Sequence, residues 1–334
     1  MRIVIVVNKW WECEPAINAM LNSNACPPGF PFGSVADPKQ AYSKITAAPW
    51  PTSLNSPLPR TNKEAVYTAR ASFTYKGTDK SGNSVDLFTA DIFCISDMMN
   101  AVPGSQQSSS SAKADCLKAF FKQLGACDLV IAVGTASSAS VLPNRNGGVA
   151  IGTAVFLHNA HPPKSDPNPL SNWNGPSDEV IPSTISKQLF SDLAGFDAGS
   201  ALQHFLPVHH RSDAPIASAG FHDVALATVN VTNYGEYKFK DRETLEAYLA
   251  AKNTVPTRAA SIETTHGLIA LAAGSTPFLF LSSITDRFAS FDGDVSTGAL
   301  ADAQNTACAY NAGVTLRWML FNLALQKQQR STSA

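Results

Sequence analysis

The chain has 334 residues, 44% hydrophobic and only 15% charged, with a formal net charge of −1. That is enough apolar material for a sizeable core, and without any block of like charge it excludes the electrostatic footprint of a nucleic-acid or anionic-membrane binder. The ligand class left is a small molecule recognised by local contacts.

The six cysteines, Cys13, Cys26, Cys94, Cys116, Cys127 and Cys308, are scattered. They form no C-x-x-C pair and no His/Cys cluster at metal-ligand spacing, so they are expected to be buried free thiols. The apolar opening ends after Val7 and is followed by Lys9, Glu12 and Glu14. It is too short for a secretory core segment, and no 18-residue apolar run occurs elsewhere, so a cytoplasmic protein is expected.

In chain order, residues 2–7 (RIVIVV) predict a fully buried strand, dense in β-branched residues and without alternation. Residues 14–21 predict a short helix with Pro15 in its first turn. Residues 22–60 are Pro-rich and aromatic, which predicts a long loop insertion that folds over the body or a neighbouring subunit. Residues 71–75 and 85–94 predict two strands joined by a turn. A polar bridge at 106–111 leads to a helix at 112–124, with Cys116, Phe120, Phe121 and Leu124 on one face.

Residues 129–133 (LVIAV) predict a second buried strand running into a turn at Gly134, Thr135, Ala136 and Ser137. Further strands are predicted at 148–157, 224–231 and 277–284, and a long last helix at 299–326. The segment at 158–182, rich in Pro and Asn, is a candidate lid or a surface decoration. Buried strands separated by helices give an α/β fold with a largely parallel or mixed central sheet. With no internal repeat, one domain over 1–330 is expected.

In such sheets ligands bind beyond the carboxyl ends of the strands. That rule selects Glu12 and Glu14 after the first strand, Gly134 to Ser137 after the second, Tyr234 and Tyr237 after the strand at 224–231, and Asp286 after the last. Glu263 adds a carboxylate where a helix begins. Singly, each acid also fits a helix cap or a solvated loop residue, and the glycine turn is not a phosphate loop, because G-x-x-x-x-G-K-[ST] and G-x-G-x-x-G are both missing.

Together, four segments in order resemble the nucleoside phosphorylase/nucleosidase superfamily, and within it the methylthioadenosine/S-adenosylhomocysteine nucleosidases. They are Trp11-Glu12-Cys13-Glu14-Pro15 after the first strand, the strand and turn CDLVIAVGTA at 127–136, Ser261-Ile262-Glu263, and PFLFLSSITD at 277–286. The chain departs from the pattern where Thr264, Thr265 and His266 replace small residues, where Ser stands for the second glycine after Gly134, and in the serine-rich stretch at 106–111.

The resemblance implies a three-layer α/β/α sandwich with a central mixed β-sheet, and N-glycosidic cleavage of a purine nucleoside or related metabolite without metal or organic cofactor. Asp286 would be the general acid that protonates the leaving base. Glu14 would orient and deprotonate the attacking water, with Glu12 in its place if the register moves by two. Glu263, next to Ile262, would accept hydrogen bonds from the ribose hydroxyls. Gly134, Thr135 and Ala136 would approach the ribose or nucleophile, Thr285 would flank the acid, and Tyr234 would stack on the base. The resemblance also implies a homodimer or larger assembly.

Lys9, two tryptophans and two acids follow the first strand, and no arginine lies between Arg70 and Arg145. That favours water over phosphate as nucleophile. A phosphorylase that draws its phosphate ligand from elsewhere, and a non-catalytic nucleoside-binding protein, are the competing readings.

Overall fold

A computed structural model describes residues 1–21, 69–100, 110–138, 146–157, 205, 208–209, 215–216, 221–222, 227–230, 259–287 and 299–333. The loop at 22–60, the segment at 158–182, Tyr234 and Tyr237 lie outside the described residues.

The chain begins with β1 (Arg2–Val7) and α1 (Trp10–Leu21), followed by the antiparallel pair β2 (Ala71–Thr78) and β3 (Ser84–Cys94). Helices α2 (Ile95–Asn100) and α3 (Ser110–Leu124) lead to β4 (Leu129–Ser138). Then come β5 (Val149–Gly152), β6 (Ala154–Leu157) and four short strands, β7 (Val208–His209), β8 (Pro215–Ile216), β9 (Phe221–His222) and β10 (Ala227–Asn230). The last part holds β11 (Ala259–Glu263), α4 (His266–Ala273), β12 (Phe278–Arg287) and the long α5 (Ala299–Ser333).

All strands except the β7–β8 pair belong to one mixed sheet, ordered β2-β3-β1-β4-β11-β10-β6, with β12, β5 and β9 joined through β4. Strand β4 is its hub. It runs parallel to β1 from Leu129 to Val133 and parallel to β12 along nearly its whole length, from Val130 to Ser138. A strand has only two edges, so β11 shares the β1 edge, and it joins antiparallel only at Ser137 and Ser138. Between the end of β1 and the start of β11, one edge of β4 at Gly134–Ala136 has no neighbouring strand among the described residues.

The alternation of side chains across a strand explains the layers. Ile3, Ile5, Val7, Leu129, Ile131, Val133, Leu279 and Leu281 point to the face that packs with Cys13, Ile17 and Met20 of α1 and Leu316, Met319 and Leu320 of α5. Val4, Val6, Val130, Ala132, Phe278 and Phe280 point to the other face, against Met98 and Met99 of α2, Leu117 and Phe120 of α3, and Ile269 and Ala270 of α4. Helices on both faces of a mixed sheet make the expected α/β/α arrangement. Both faces are apolar, which is why β1, β4 and β12 read as continuous hydrophobic runs.

Two local readings of the sequence are corrected. Gly134 to Ser137 is not a turn: β4 continues through it, because β12 pairs with it up to Arg287 opposite Ser138. The single strand expected at 148–157 is two, parted at Thr153, with β5 joined to β12 and β6 to β10. Helix α1 also begins earlier than expected, at Trp10. Its start is stabilised by Glu12, whose Oε2 accepts from the Lys9 backbone N–H at 2.9 Å, the return half of a capping box. Of the cysteines, Cys13, Cys94, Cys116 and Cys308 are buried free thiols and Cys127 is a half-buried one.

Candidate active site

The uncovered edge of β4 gathers the chemistry. Glu12, in the first turn of α1, is buried and turns its carboxylate to this edge. Its Oε1 accepts from the Thr135 backbone N–H at 2.8 Å and from the Thr135 hydroxyl at 2.7 Å. The N–H that lacks a strand partner is satisfied by a side chain instead, as a buried backbone donor must be. Burial pushes the Glu12 carboxyl above its ordinary range, against the opposing pull of the bonds from Thr135 and Lys9. Glu14, expected as the base, is exposed on α1 two residues further on. An early helix start rotates position 12 toward the sheet and position 14 toward solvent.

Gly134 leaves space here rather than making a turn. A Cβ on it would lie 3.2 Å from His266 Nε2 and 3.3 Å from Glu12 Oε1. These two polar atoms therefore converge on the bare face of Gly134. His266 is buried, and burial lowers its pKa to about 3, so the ring stays neutral at any ordinary pH.

Glu263 closes β11 and is buried. Its Oε2 accepts from the backbone N–H groups of Thr265 and, at 2.6 Å, His266, so the carboxylate sits on the N-terminus of α4. Among the described residues its Oε1 has a single long contact, 3.4 Å, with the Thr228 hydroxyl of β10. Burial raises its pKa to about 7 despite these bonds. Ile262 beside it is a buried core residue.

Asp286 lies near the end of β12, buried, just past an irregularity in the pairing with β4 that sets it opposite Ser137. Oδ2 accepts from the Ser137 hydroxyl at 2.9 Å and Oδ1 from the Thr285 hydroxyl at 2.6 Å. Thr285 is fixed in turn: its carbonyl accepts from Gln304 Nε2 of α5 at 2.6 Å, and its hydroxyl also lies 3.2 Å from the Ala136 carbonyl.

Thus Glu12 at Thr135, Glu263 near Ser137–Ser138 and Asp286 at Ser137 all border the C-terminal half of β4. Lys113 of α3 adds a buried cation whose field reaches both Glu12 and Glu263, and burial lowers its pKa to about 8. Sequence reasoning missed Lys113 as a site residue and noticed His266 only as a departure from a pattern. The signal for a polar cluster was present in the paired serines of an otherwise apolar strand, FLFLSSI, because hydroxyls in a buried central strand need polar partners.

This arrangement of strands recurs in solved structures. Helicobacter pylori MTAN, an Asp-to-Asn mutant with 5′-methylthioadenosine in the active site, is 13% identical, with a TM-score of 0.50 over 96% of this chain and 97% of that one. The futalosine hydrolase of the same organism is 12% identical, with a TM-score of 0.50 over 96% and 97%. The chain has the nucleoside phosphorylase/nucleosidase fold. No protein-family model matches the chain, and no curated protein does. On this fold, Glu12 follows the carboxyl end of β1 and Asp286 lies near that of β12, where an open α/β sheet places its ligands, while Glu263 ends β11, antiparallel to β4, beside the same half of that strand. Among the described residues no group of His, Cys, Asp and Glu is placed to hold a metal ion, and no helix is long and apolar enough to cross a membrane.

Proposed function

We propose that the protein is a nucleosidase that hydrolyses the N-glycosidic bond of a purine nucleoside or a related metabolite. The observation that carries this reading is that three buried carboxyl groups, Glu12, Glu263 and Asp286, border the C-terminal half of β4, Glu12 and Glu263 from the side of β1 and β11 and Asp286 from β12. N-glycosidic cleavage builds positive charge on the sugar while the base leaves with the bonding electrons. It needs a proton donor at the base and an activated nucleophile on the opposite face of the sugar.

Asp286 is the general acid. The hydroxyls of Ser137 and Thr285 that hold it donate to a carboxylate and equally accept from a carboxylic acid, so they fix its position through both halves of the proton transfer. Glu12 orients and deprotonates the attacking water. Its raised pKa gives it the basicity for that task, and its bonds to Thr135 and Lys9 fix the direction of its lone pairs. Glu263 accepts from the ribose hydroxyls through Oε1, the oxygen that the backbone of α4 leaves available. Tyr234 is proposed to stack on the base. A homodimer or larger assembly, working in the cytoplasm, completes the reading.

Phosphorolysis is the second reading, and one observation favours it: Lys113, a buried cation beside Glu12 and Glu263, is a ready counter-charge for a phosphate oxygen. The two acids around it favour water. A panel of nucleosides assayed for released base, with and without phosphate, separates them. Release that is independent of phosphate, with free sugar as product, is expected. A strict phosphate requirement with sugar 1-phosphate as product overturns the hydrolase reading, and no base release from any nucleoside overturns both.

A further inference from the structure

Glu263 and His266 are connected by more than the peptide chain. From Glu263 Oε1 a line of hydroxyls runs through Thr228 Oγ1 at 3.4 Å, Ser261 Oγ at 2.9 Å and Ser282 Oγ at 2.9 Å to His266 Nδ1 at 3.3 Å. Thr228, Ser261 and Ser282 have no exposed surface, and the line crosses β10, β11 and β12 before it reaches α4. Thr228 has one further acceptor within reach, the Ser261 carbonyl at 3.5 Å. At the far end, His266 Nε2 faces Gly134 together with Glu12 Oε1.

Each hydroxyl has one proton, so each can donate once, and the direction of the whole line is set at its ends. An ionised Glu263 only accepts. Thr228 then donates to it in preference to the neutral Ser261 carbonyl, since a bond to a charged acceptor is the stronger. The one orientation that then places a proton in every link has Ser261 donating to Thr228, Ser282 to Ser261, and His266 Nδ1–H to Ser282. This leaves Nε2 as a bare lone pair. A protonated Glu263 donates from Oε1 to Thr228, and the line reverses. Ser282 then donates to Nδ1, and the ring proton sits on Nε2.

We propose that the Thr228–Ser261–Ser282 relay makes the protonation state of Glu263 select the tautomer of His266, and that His266 Nε2 acts with Glu12 on the nucleophile above Gly134. The second half rests on the nucleosidase reading. With Nε2 as an acceptor, a water between His266 and Glu12 donates one proton to each and keeps a lone pair for the anomeric carbon. With Nε2–H as a donor, one of the water's two lone pairs is engaged and Glu12 alone accepts from it, so the water is the weaker nucleophile.

Among the described residues, the charged and titratable groups around the relay are few. Lys113 of α3 acts on Glu263 and on Glu12, and Lys9 acts on Lys113. Glu12 of α1 faces His266 across Gly134, and Phe280 of β12 lies beside the imidazole with ring centroids 6.1 Å apart. The ring itself stays neutral, so a pH response of His266 near neutrality is a change of tautomer and not of charge.

The test is nitrogen NMR of the full-length protein labelled at histidine, with the His266 signals assigned by their loss in His266→Asn. The expected result is a neutral ring that passes from Nε2–H to Nδ1–H as pH rises through about 7, where Glu263 ionises. The change should disappear in Glu263→Gln and in either Ser282→Ala or Ser261→Ala, so one well-folded serine variant suffices. A wild-type ring that keeps one tautomer from pH 6 to pH 8, or a change that persists in the serine variants, overturns the relay. For the second half, kcat of base release should rise roughly tenfold between pH 6 and pH 8 in the wild type, following ionisation of a group near 7. It should be flat over that range in Ser282→Ala, and an unchanged acid limb there removes His266 from the reaction. A protein that releases no base loses the nucleosidase reading, while the tautomer result stands or falls on its own.

Discussion

Glu12 Oε1 takes both the backbone N–H and the hydroxyl of Thr135, at 2.8 and 2.7 Å, and so ties the first turn of α1 to the uncovered edge of β4. The same carboxylate caps its own helix through Oε2 and the Lys9 N–H. Structure and proposed chemistry thus depend on one side chain. In Glu12→Gln an amide NH2 must face one of these donors, so a loss of about 1 kcal/mol of stability is expected from the damaged cap. If Glu12 activates water, kcat should fall by ~10²-fold or more beyond any effect of unfolding. Glu14→Gln is the control, and this exposed change should leave both melting temperature and kcat within error. Equal losses in the two variants would remove Glu12 from the mechanism.

Asp286 is tested by separating chemistry from architecture. Asp286→Asn keeps the shape of the side chain; its oxygen accepts from one of the Ser137 and Thr285 hydroxyls, and its NH2 donates to the other once that hydroxyl rotates. If Asp286 protonates the leaving base, kcat should fall at least ~10²-fold with little change in KM. The loss should shrink for a nitrophenyl riboside, whose leaving group departs without protonation. A purely structural Asp286 predicts a lower melting temperature and near-normal turnover on every substrate.

Most of the sheet was legible in the sequence because its strands are buried on both faces. The runs RIVIVV, LVIAV and PFLFLSSI cannot be amphipathic surface elements, and β1 matches its expected span residue for residue. Glu12 and Asp286 could be picked out because ligands bind at strand ends, and Glu263 because it is a lone carboxylate where a helix begins. The choice between Glu12 and Glu14 could not be made, since it depends on whether α1 starts at Trp10 or four residues later, and Glu12 itself supplies the cap that decides this. Gly134 was taken for a turn because glycine near a strand end usually marks one. Its real constraint comes from His266 and Glu12, distant in sequence by more than a hundred residues. The hydroxyl relay is likewise invisible to local pattern, because its members come from three strands whose neighbours are fixed only by the sheet order.

Gly313 gives a stability prediction independent of the site. At this position α5 crosses α1 so closely that an added Cβ would lie 2.4 Å from the Ala16 carbonyl oxygen and 2.6 Å from its Cα. These are backbone atoms and cannot move aside as a side-chain tip would. Gly313→Ala should therefore destabilise the protein by about 1–3 kcal/mol through overpacking, despite the better helix propensity of alanine. A higher melting temperature in this variant would mean that the two helices are free to separate.

The buried ionisable groups also fix how stability depends on pH. Burial raises Glu263 from its ordinary 4.5 to about 7, so between these values the folded chain holds a proton that the unfolded chain has lost. Its contribution is fully present below pH 4.5 and is lost as pH rises through 7, on the order of 3 kcal/mol in all. His266 works the other way. Its pKa falls from 6.5 to about 3, so its penalty is felt at low pH and disappears as pH rises through 6.5. The two slopes oppose each other between 4.5 and 6.5, and above 6.5 the His266 slope is gone while that of Glu263 remains. Lys113, lowered from 10.5 to about 8, adds a gain in stability only in the alkaline range between those values. The difference in melting temperature between wild type and Glu263→Gln removes His266 and Lys113 from the comparison to first order. That difference should move steadily against the wild type from pH 5 to pH 8. A difference that is flat, or that moves in favour of the wild type, would show that Glu263 ionises at its ordinary pH in the folded protein, and the pH-dependent relay to His266 would lose its trigger.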